Sequence, residues 1–209
     1  MMIARRDILP LFAASLFVTG TAFAAPSSEK RKALLVLDMQ RDFLEAHGRL
    51  PVDQEQALNV IQSVNALLAA GARQEWLMVA VYNSYSPWDV ENLFRNFAAV
   101  QGSAGAEFDP RVELQDLPRF AKSEPDAFSN PALGAFLRKN GAETVAIVGL
   151  FAEACVTYTA LGAARSGFHP IVISDAVASG SDESRASALE ALKARSMLVE
   201  TVRDLVGSQ

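Results

Sequence analysis

Cysteine is nearly absent: Cys155 is the only one in the chain, so no intrachain disulfide can form. Histidine is almost as scarce, and with His47 and His169 alone the Cys/His set of a structural zinc site cannot be assembled. Positive charge never gathers. Nineteen Lys and Arg against 24 Asp and Glu leave a net charge of -5, and no basic cluster recurs along the mature chain, which excludes nucleic acid and anionic membranes as partners. Phosphate-loop and serine-elbow motifs are lacking too: Gly102-Ser103-Ala104-Gly105 has no lysine in the right place, and Ser181 has no flanking Gly-x-Ser-x-Gly pattern. What is present is a chain of 209 residues, half hydrophobic and 21% charged, enough to bury one sizeable core in a single domain.

Residues 1–24 have the form of a bacterial export signal. Arg5-Arg6 precede the apolar stretch 11–18, and Ala22-Phe23-Ala24 makes a small-x-small cleavage site. Two arginines followed after one residue by Ile8-Leu9 match the twin-arginine type. The apolar stretch is shorter than the ~20 residues of a membrane span and is broken by Pro10. The expected organisation is a signal over 1–24, a polar leader over 25–32 and one domain over 33–209, periplasmic or secreted and free of the membrane once cleaved.

Past the leader, the continuous apolar run 33–37 ends at Asp38, the pattern of a parallel strand buried on both faces. Asp53 and Gln56 make a capping box, and Leu58, Ile61, Val64, Leu67 and Leu68 recur at helical spacing up to Gly71. Further strands are expected over 76–82, 144–148, 171–174 and 197–199. Helices are expected from Asn130-Pro131 to Gly141, over 156–166 and over 182–194. Residues 84–120 hold Pro87, Pro110, Pro118, Gly102 and Gly105 and predict a loop with one short helix near 89–99. The alternation predicts a three-layer α/β fold with a mostly parallel sheet.

Ligands of such sheets bind beyond the carboxyl ends of the strands. Three reactive residues fall there: Asp38, Lys122 after Arg119-Phe120-Ala121, and Cys155 past Gly149. Cys155 opens the 156–166 helix, whose dipole is expected to lower the thiol pKa. Asp38 is placed to take the thiol proton, Lys122 to hold the charges, and the turn before Cys155 to offer backbone N–H groups to an oxyanion.

The segments Val36-Leu37-Asp38-Met39-Gln40-Arg41-Asp42-Phe43-Leu44, Phe120-Ala121-Lys122-Ser123 and Gly149-Leu150-Phe151-Ala152-Glu153-Ala154-Cys155-Val156 together resemble the isochorismatase-like cysteine hydrolases. The resemblance implies a six-stranded parallel sheet and an Asp38, Lys122, Cys155 triad that hydrolyses small amides through a thioester. It also implies an oxyanion hole from the N–H groups of Phe151 and Cys155, a cis Leu150–Phe151 bond and a homo-oligomer. The nicotinamidases of this superfamily carry an aspartate and histidines in a metal motif after the second strand. Here that region reads Tyr82-Asn83-Ser84-Tyr85-Ser86-Pro87-Trp88-Asp89, without histidine. The expectation is therefore an amidohydrolase acting on an amide or carbamoyl C–N bond of a small molecule, with neither metal nor cofactor.

Gln40, Phe43, Tyr85, Trp88 and Phe128 are candidates for the pocket wall, where apolar groups predominate. Glu153, two residues before the thiol, either orders the turn or faces a second subunit. Two rival readings stand beside the enzyme: a non-catalytic binding or assembly protein with this fold, and an oxidant sensor acting through an exposed, low-pKa thiolate.

Overall fold

The computed structural model describes residues 31–114 and 116–207. The expected signal and most of the leader lie outside the described residues. Six strands, β1 Arg31–Leu37, β2 Leu77–Asn83, β3 Arg119–Lys122, β4 Ala142–Leu150, β5 His169–Ala178 and β6 Leu198–Glu200, form one sheet in the order β3-β2-β1-β4-β5-β6. Every neighbouring pair is parallel. Helices α1 Arg41–Leu44, α2 Gln54–Arg73, α3 Pro131–Lys139, α4 Thr157–Arg165, α5 Asp182–Ala194 and α6 Val202–Gly207 complete the layers.

The two-residue period of β1 explains why the sheet is covered on both sides. Leu34 and Val36 pack with Val60, Val64 and Leu67 of α2 and with Leu205 of α6. Ala33, Leu35 and Leu37 pack with Leu133 and Leu137 of α3, Ala160 and Ala163 of α4, and Leu192 of α5. Five of the seven β1 residues, Ala33 to Leu37, are fully buried, as a central parallel strand requires.

The structure corrects several local expectations. Leu58 is exposed, because the buried stripe of α2 runs through Ala57, Val60, Ile61, Val64, Leu67 and Leu68. Gly71 lies inside α2 rather than ending it, and a Cβ there would come within 2.7 Å of the Met78 sulfur, so it marks close packing on β2. Only half of the capping box forms. Asp53 accepts from the N–H groups of Glu55 and Gln56, while the Gln56 side chain turns away to Ser179 and Asp182. The expected helix near 89–99 shrinks to a single 3-10 turn, Val90–Leu93, because Asn96, Phe97 and Ala99 take left-handed φ values that end any helical run.

Candidate functional site

Four adjacent strand ends build the site. On the β2–β3 ladder Asn83 pairs with Lys122, and on the β1–β4 ladder Leu37 pairs with Gly149. Asp38 follows β1 at φ 58°, its N–H donating to the Val81 carbonyl at 2.8 Å, which swings its side chain out of the strand alternation. Gly149 has φ 112°, and a Cβ there would stand 2.0 Å from the Leu37 carbonyl oxygen. Glycine thus lets the ends of β1 and β4 close up. The Leu150–Phe151 peptide bond is cis, and the chain then enters a π-helical turn, Ala152–Val156, that carries Cys155 and runs on into α4.

The result is a closed cluster. Lys122 Nζ lies 3.0 Å from Asp38 Oδ2 and 3.2 Å from Cys155 Sγ, and donates to Asn83 Oδ1 at 2.6 Å. Asp38, Asn83, Lys122 and Cys155 are all buried. Apart from the close ion pair with Lys122, the Asp38 carboxylate oxygens accept no well-aligned hydrogen bond among the described residues. Such a buried acceptor retains the capacity to receive a proton.

Burial pushes the Cys155 thiol up to about 12, the Asp38 carboxylate adds to the effect, and Lys122 opposes it. This overturns the expectation of a thiol acidified by its helix. Cys155 sits within the π-helical turn rather than ahead of the helix, and there burial and the Asp38 carboxylate raise the thiol. Burial also acts to lower the Lys122 pKa, but Asp38 and Cys155 together hold the ammonium above its ordinary value.

The five expected wall residues separate. Tyr85 is buried beside the cluster: desolvation raises its phenol to about 12, and Lys122, Asp38 and Cys155 all act on it through space. Phe43 is buried and meets Phe151 edge-on at 5.6 Å. Gln40 is a buttress rather than a wall group. Its amide nitrogen donates to the carbonyls of Asn83 and Ala106, and its oxygen accepts the Asn83 N–H at 2.9 Å. Trp88 projects into solvent, and Phe128 packs on Phe168 at 5.4 Å in the core on the α3 and α4 side. Glu153 orders the turn, accepting from the Ser179 hydroxyl at the end of β5. Asn83 escaped the sequence reading. The signal was a polar residue ending a buried strand beside the strand that ends in lysine.

No group of three or more His, Cys, Asp or Glu is placed to hold a metal ion among the described residues. After β2, Asp89 is bonded to Arg95 and to the Glu91 N–H. His169 begins β5 at the opposite, amino edge of the sheet, and His47 lies in the turn after α1. These residues do not fit a histidine-containing metal site beside Cys155.

The molecule is thus a parallel α/β sheet flanked by helices, with a buried aspartate, lysine and cysteine gathered at adjacent strand ends. Residues 32–204 match the Isochorismatase domain, and the chain belongs to that family. It is 26% identical over 183 residues to the nicotinamidase/pyrazinamidase of Mycobacterium tuberculosis, covering 79% of this chain and 96% of that protein. It is 29% identical over 148 residues to the streptothricin hydrolase of Streptomyces noursei, covering 69% of this chain but spanning only 49% of that protein. Among solved structures, an isochorismatase-like hydrolase from Alkaliphilus metalliredigens superposes with a TM-score of 0.80 at 25% identity, covering 85% of this chain and 98% of that one. The pyrazinamidase of Pyrococcus horikoshii in complex with zinc superposes at 0.74 with 31% identity, covering 82% and 99%. The parallel sheet with flanking helices is the fold these structures share with this chain.

Proposed function

We propose that the protein is an exported cysteine amidohydrolase that cleaves a small amide or carbamoyl C–N bond through a thioester on Cys155. The observation that carries this reading is the contact set itself: one ammonium within 3.2 Å of a thiol and 3.0 Å of a buried carboxylate with acceptor capacity to spare. The named relatives, hydrolases and amidases, support the amide class. Export rests on Arg5-Arg6, the apolar stretch after Pro10 and Ala22-Phe23-Ala24.

In the resting state the proton stays on sulfur. When a carbonyl carbon arrives, Asp38 takes that proton as sulfur attacks, and Lys122 balances the charge on both partners. The oxyanion accepts from the N–H groups of Phe151 and Cys155 at the start of the helical turn, where the first N–H groups lack intrahelical partners. Asp38 then gives the proton to the leaving nitrogen, the C–N bond breaks, and ammonia or an amine departs from the thioester. Water attacks next, losing its proton to Asp38. The acid leaves, and the proton returns to sulfur. Asn83 fixes the Lys122 ammonium, and Gln40 fixes Asn83 by holding both its backbone groups.

The sensor alternative fits poorly, because oxidant-sensing thiols are exposed and low in pKa whereas this one is buried and raised. The test is ammonia release from a panel of small primary amides and ureido compounds. Wild-type protein is expected to turn over at least one of them, with Cys155→Ala slower by about 10³-fold or more. A folded wild-type protein that releases no ammonia and forms no acyl adduct by mass spectrometry contradicts the enzyme and favours the binding protein.

A further inference from the structure

The mechanism leaves one buried polar group beside the triad unused. Tyr85 directly follows the two residues that hold Lys122: Asn83 accepts from the ammonium at 2.6 Å, and the Ser84 N–H donates to the Lys122 carbonyl at 2.9 Å. Its backbone is tied on both sides, the N–H donating to the Ala99 carbonyl at 3.1 Å and the carbonyl accepting the Gln101 N–H at 2.9 Å. The Arg95 guanidinium lies over one face of its ring, 3.9 Å from the centre. That guanidinium is itself fixed by Asp89 at 3.0 Å, by Glu91 and by the Asn92 amide oxygen at 3.3 Å. Asn92, fully buried, in turn donates to the Ser86 carbonyl at 2.8 Å. The polar side chains between 86 and 95 thus form the mount of one phenol ring.

The hydroxyl is the exception. Tyr85 is 8% exposed, yet its hydroxyl makes no hydrogen bond among the described residues, and it is not one of the side-chain atoms sealed from solvent. A buried tyrosine normally sets its O–H on a partner, because an unpaired polar group in the interior costs free energy. A hydroxyl left open beside Lys122, Asp38 and Cys155, all of which act on it through space, is in position for a bound molecule. Its part there is that of a donor. Desolvation raises the phenol to about 12, so the proton stays on, while the Arg95 cation acts in the opposite direction and strengthens the O–H as a donor.

We infer that Tyr85 is a specificity-determining residue whose hydroxyl donates to an oxygen of the substrate away from the scissile bond, so that the preferred substrate is a small amide carrying a second oxygen acceptor, carbonyl or carboxylate. The sheet order separates this donor from the oxyanion donors. Tyr85 follows β2, Phe151 and Cys155 follow β4, and β1 runs between them. Two strand spacings put the ends of β2 and β4 about 10 Å apart, the span of a small molecule rather than of one carbonyl oxygen.

The inference takes its amide from the proposed reaction, but its readout is binding rather than turnover. The ligands are acetoacetamide and levulinamide, which carry a second carbonyl, succinamic acid, which carries a carboxylate, and butyramide and valeramide, which match them in length without the oxygen. NMR titration of Cys155→Ala, in which no attack consumes the ligand, is expected to give affinities for the oxygen-bearing amides about tenfold above those of the matched ones. Adding Tyr85→Phe, which keeps the ring and its stack on Arg95, is expected to bring that ratio to about one. A gain confined to succinamic acid assigns the acceptor to a carboxylate, and a gain shared with the oxo amides to an acceptor oxygen of either kind. Equal affinities in Cys155→Ala, or no binding at all, overturn the inference with Tyr85 intact, as does a ratio that survives Tyr85→Phe. The amidase reading fails separately, if wild-type protein releases no ammonia from amides that bind with this selectivity.

Discussion

Asn83 shows how much of the site depends on a residue that touches no substrate. Its Oδ1 accepts from Lys122 at 2.6 Å, and its backbone is clamped in both directions by the Gln40 amide. A hydrogen bond to a charged group is worth ~1.5–3 kcal/mol, and its loss leaves the ammonium with less to hold it in place. Asn83→Ala is therefore expected to lower kcat by roughly 10–100-fold and to move the alkaline limb of the pH–rate profile to lower pH, because the charged form of Lys122 loses an acceptor. Rate constants measured across pH check this. A loss of rate with an unmoved profile would assign Asn83 to scaffolding alone.

At the scale of elements, the ends of β1 and β4 carry the most sensitive geometry. Gly149 combines φ 112° with a Cβ position 2.0 Å from the Leu37 carbonyl oxygen. Gly149→Ala is expected to destabilise the fold by more than ~2 kcal/mol and to abolish turnover, since the strain of φ and the clash add. Urea unfolding with m-values checks the first effect, and a fully stable variant contradicts it. The same elements show what a sequence reveals. Apolar runs such as 33–37, the Asn130-Pro131 helix start and the residues just past the strands were legible, because burial on both faces and capping leave local patterns. So was the grouping of Asp38, Lys122 and Cys155 at the carboxyl ends, which follows from parallel strands. The thiol's environment was not legible: its proton affinity is set first by burial and then by Asp38, 117 positions away in the chain (155 − 38), neither of which is local. Nor was Leu58 distinguishable from a core leucine, since its spacing fits a helix but its face is turned away from the sheet.

For the whole molecule, proton binding and stability are linked through the buried site. Cys155 rises to about 12 from 9.0, Tyr85 to about 12 from 10.0, and Lys122 rises above 10.5. Each group binds its proton more tightly when folded. The stability this contributes is fully present below the unfolded pKa and is lost as pH rises through the folded value. Unfolding free energy is therefore expected to fall from about pH 9 upward, by as much as ~1.4 kcal/mol per pH unit for each group titrating. Cys155→Ala removes the earliest of these contributions, so its decline is expected to begin about one pH unit higher. Urea melts between neutral and alkaline pH check both statements, and curves of the same shape for the two proteins contradict the buried-thiol account.

The central claim is that the proton rests on the Cys155 sulfur, kept there by burial and by the Asp38 charge, and that Asp38 carries it during the reaction. Asp38→Asn removes both the negative charge that adds to burial in raising the thiol pKa and the base that receives the proton, and the two losses are read out separately. The decisive measurement is iodoacetamide alkylation of Cys155, followed across pH in wild type and Asp38→Asn, alongside ammonia release from the best substrate of the panel. The account predicts that the variant is alkylated at lower pH than the wild type while its turnover falls by about 10²–10⁴-fold. Alkylation that shifts to higher pH in the variant, or turnover that survives at the wild-type rate, would contradict it.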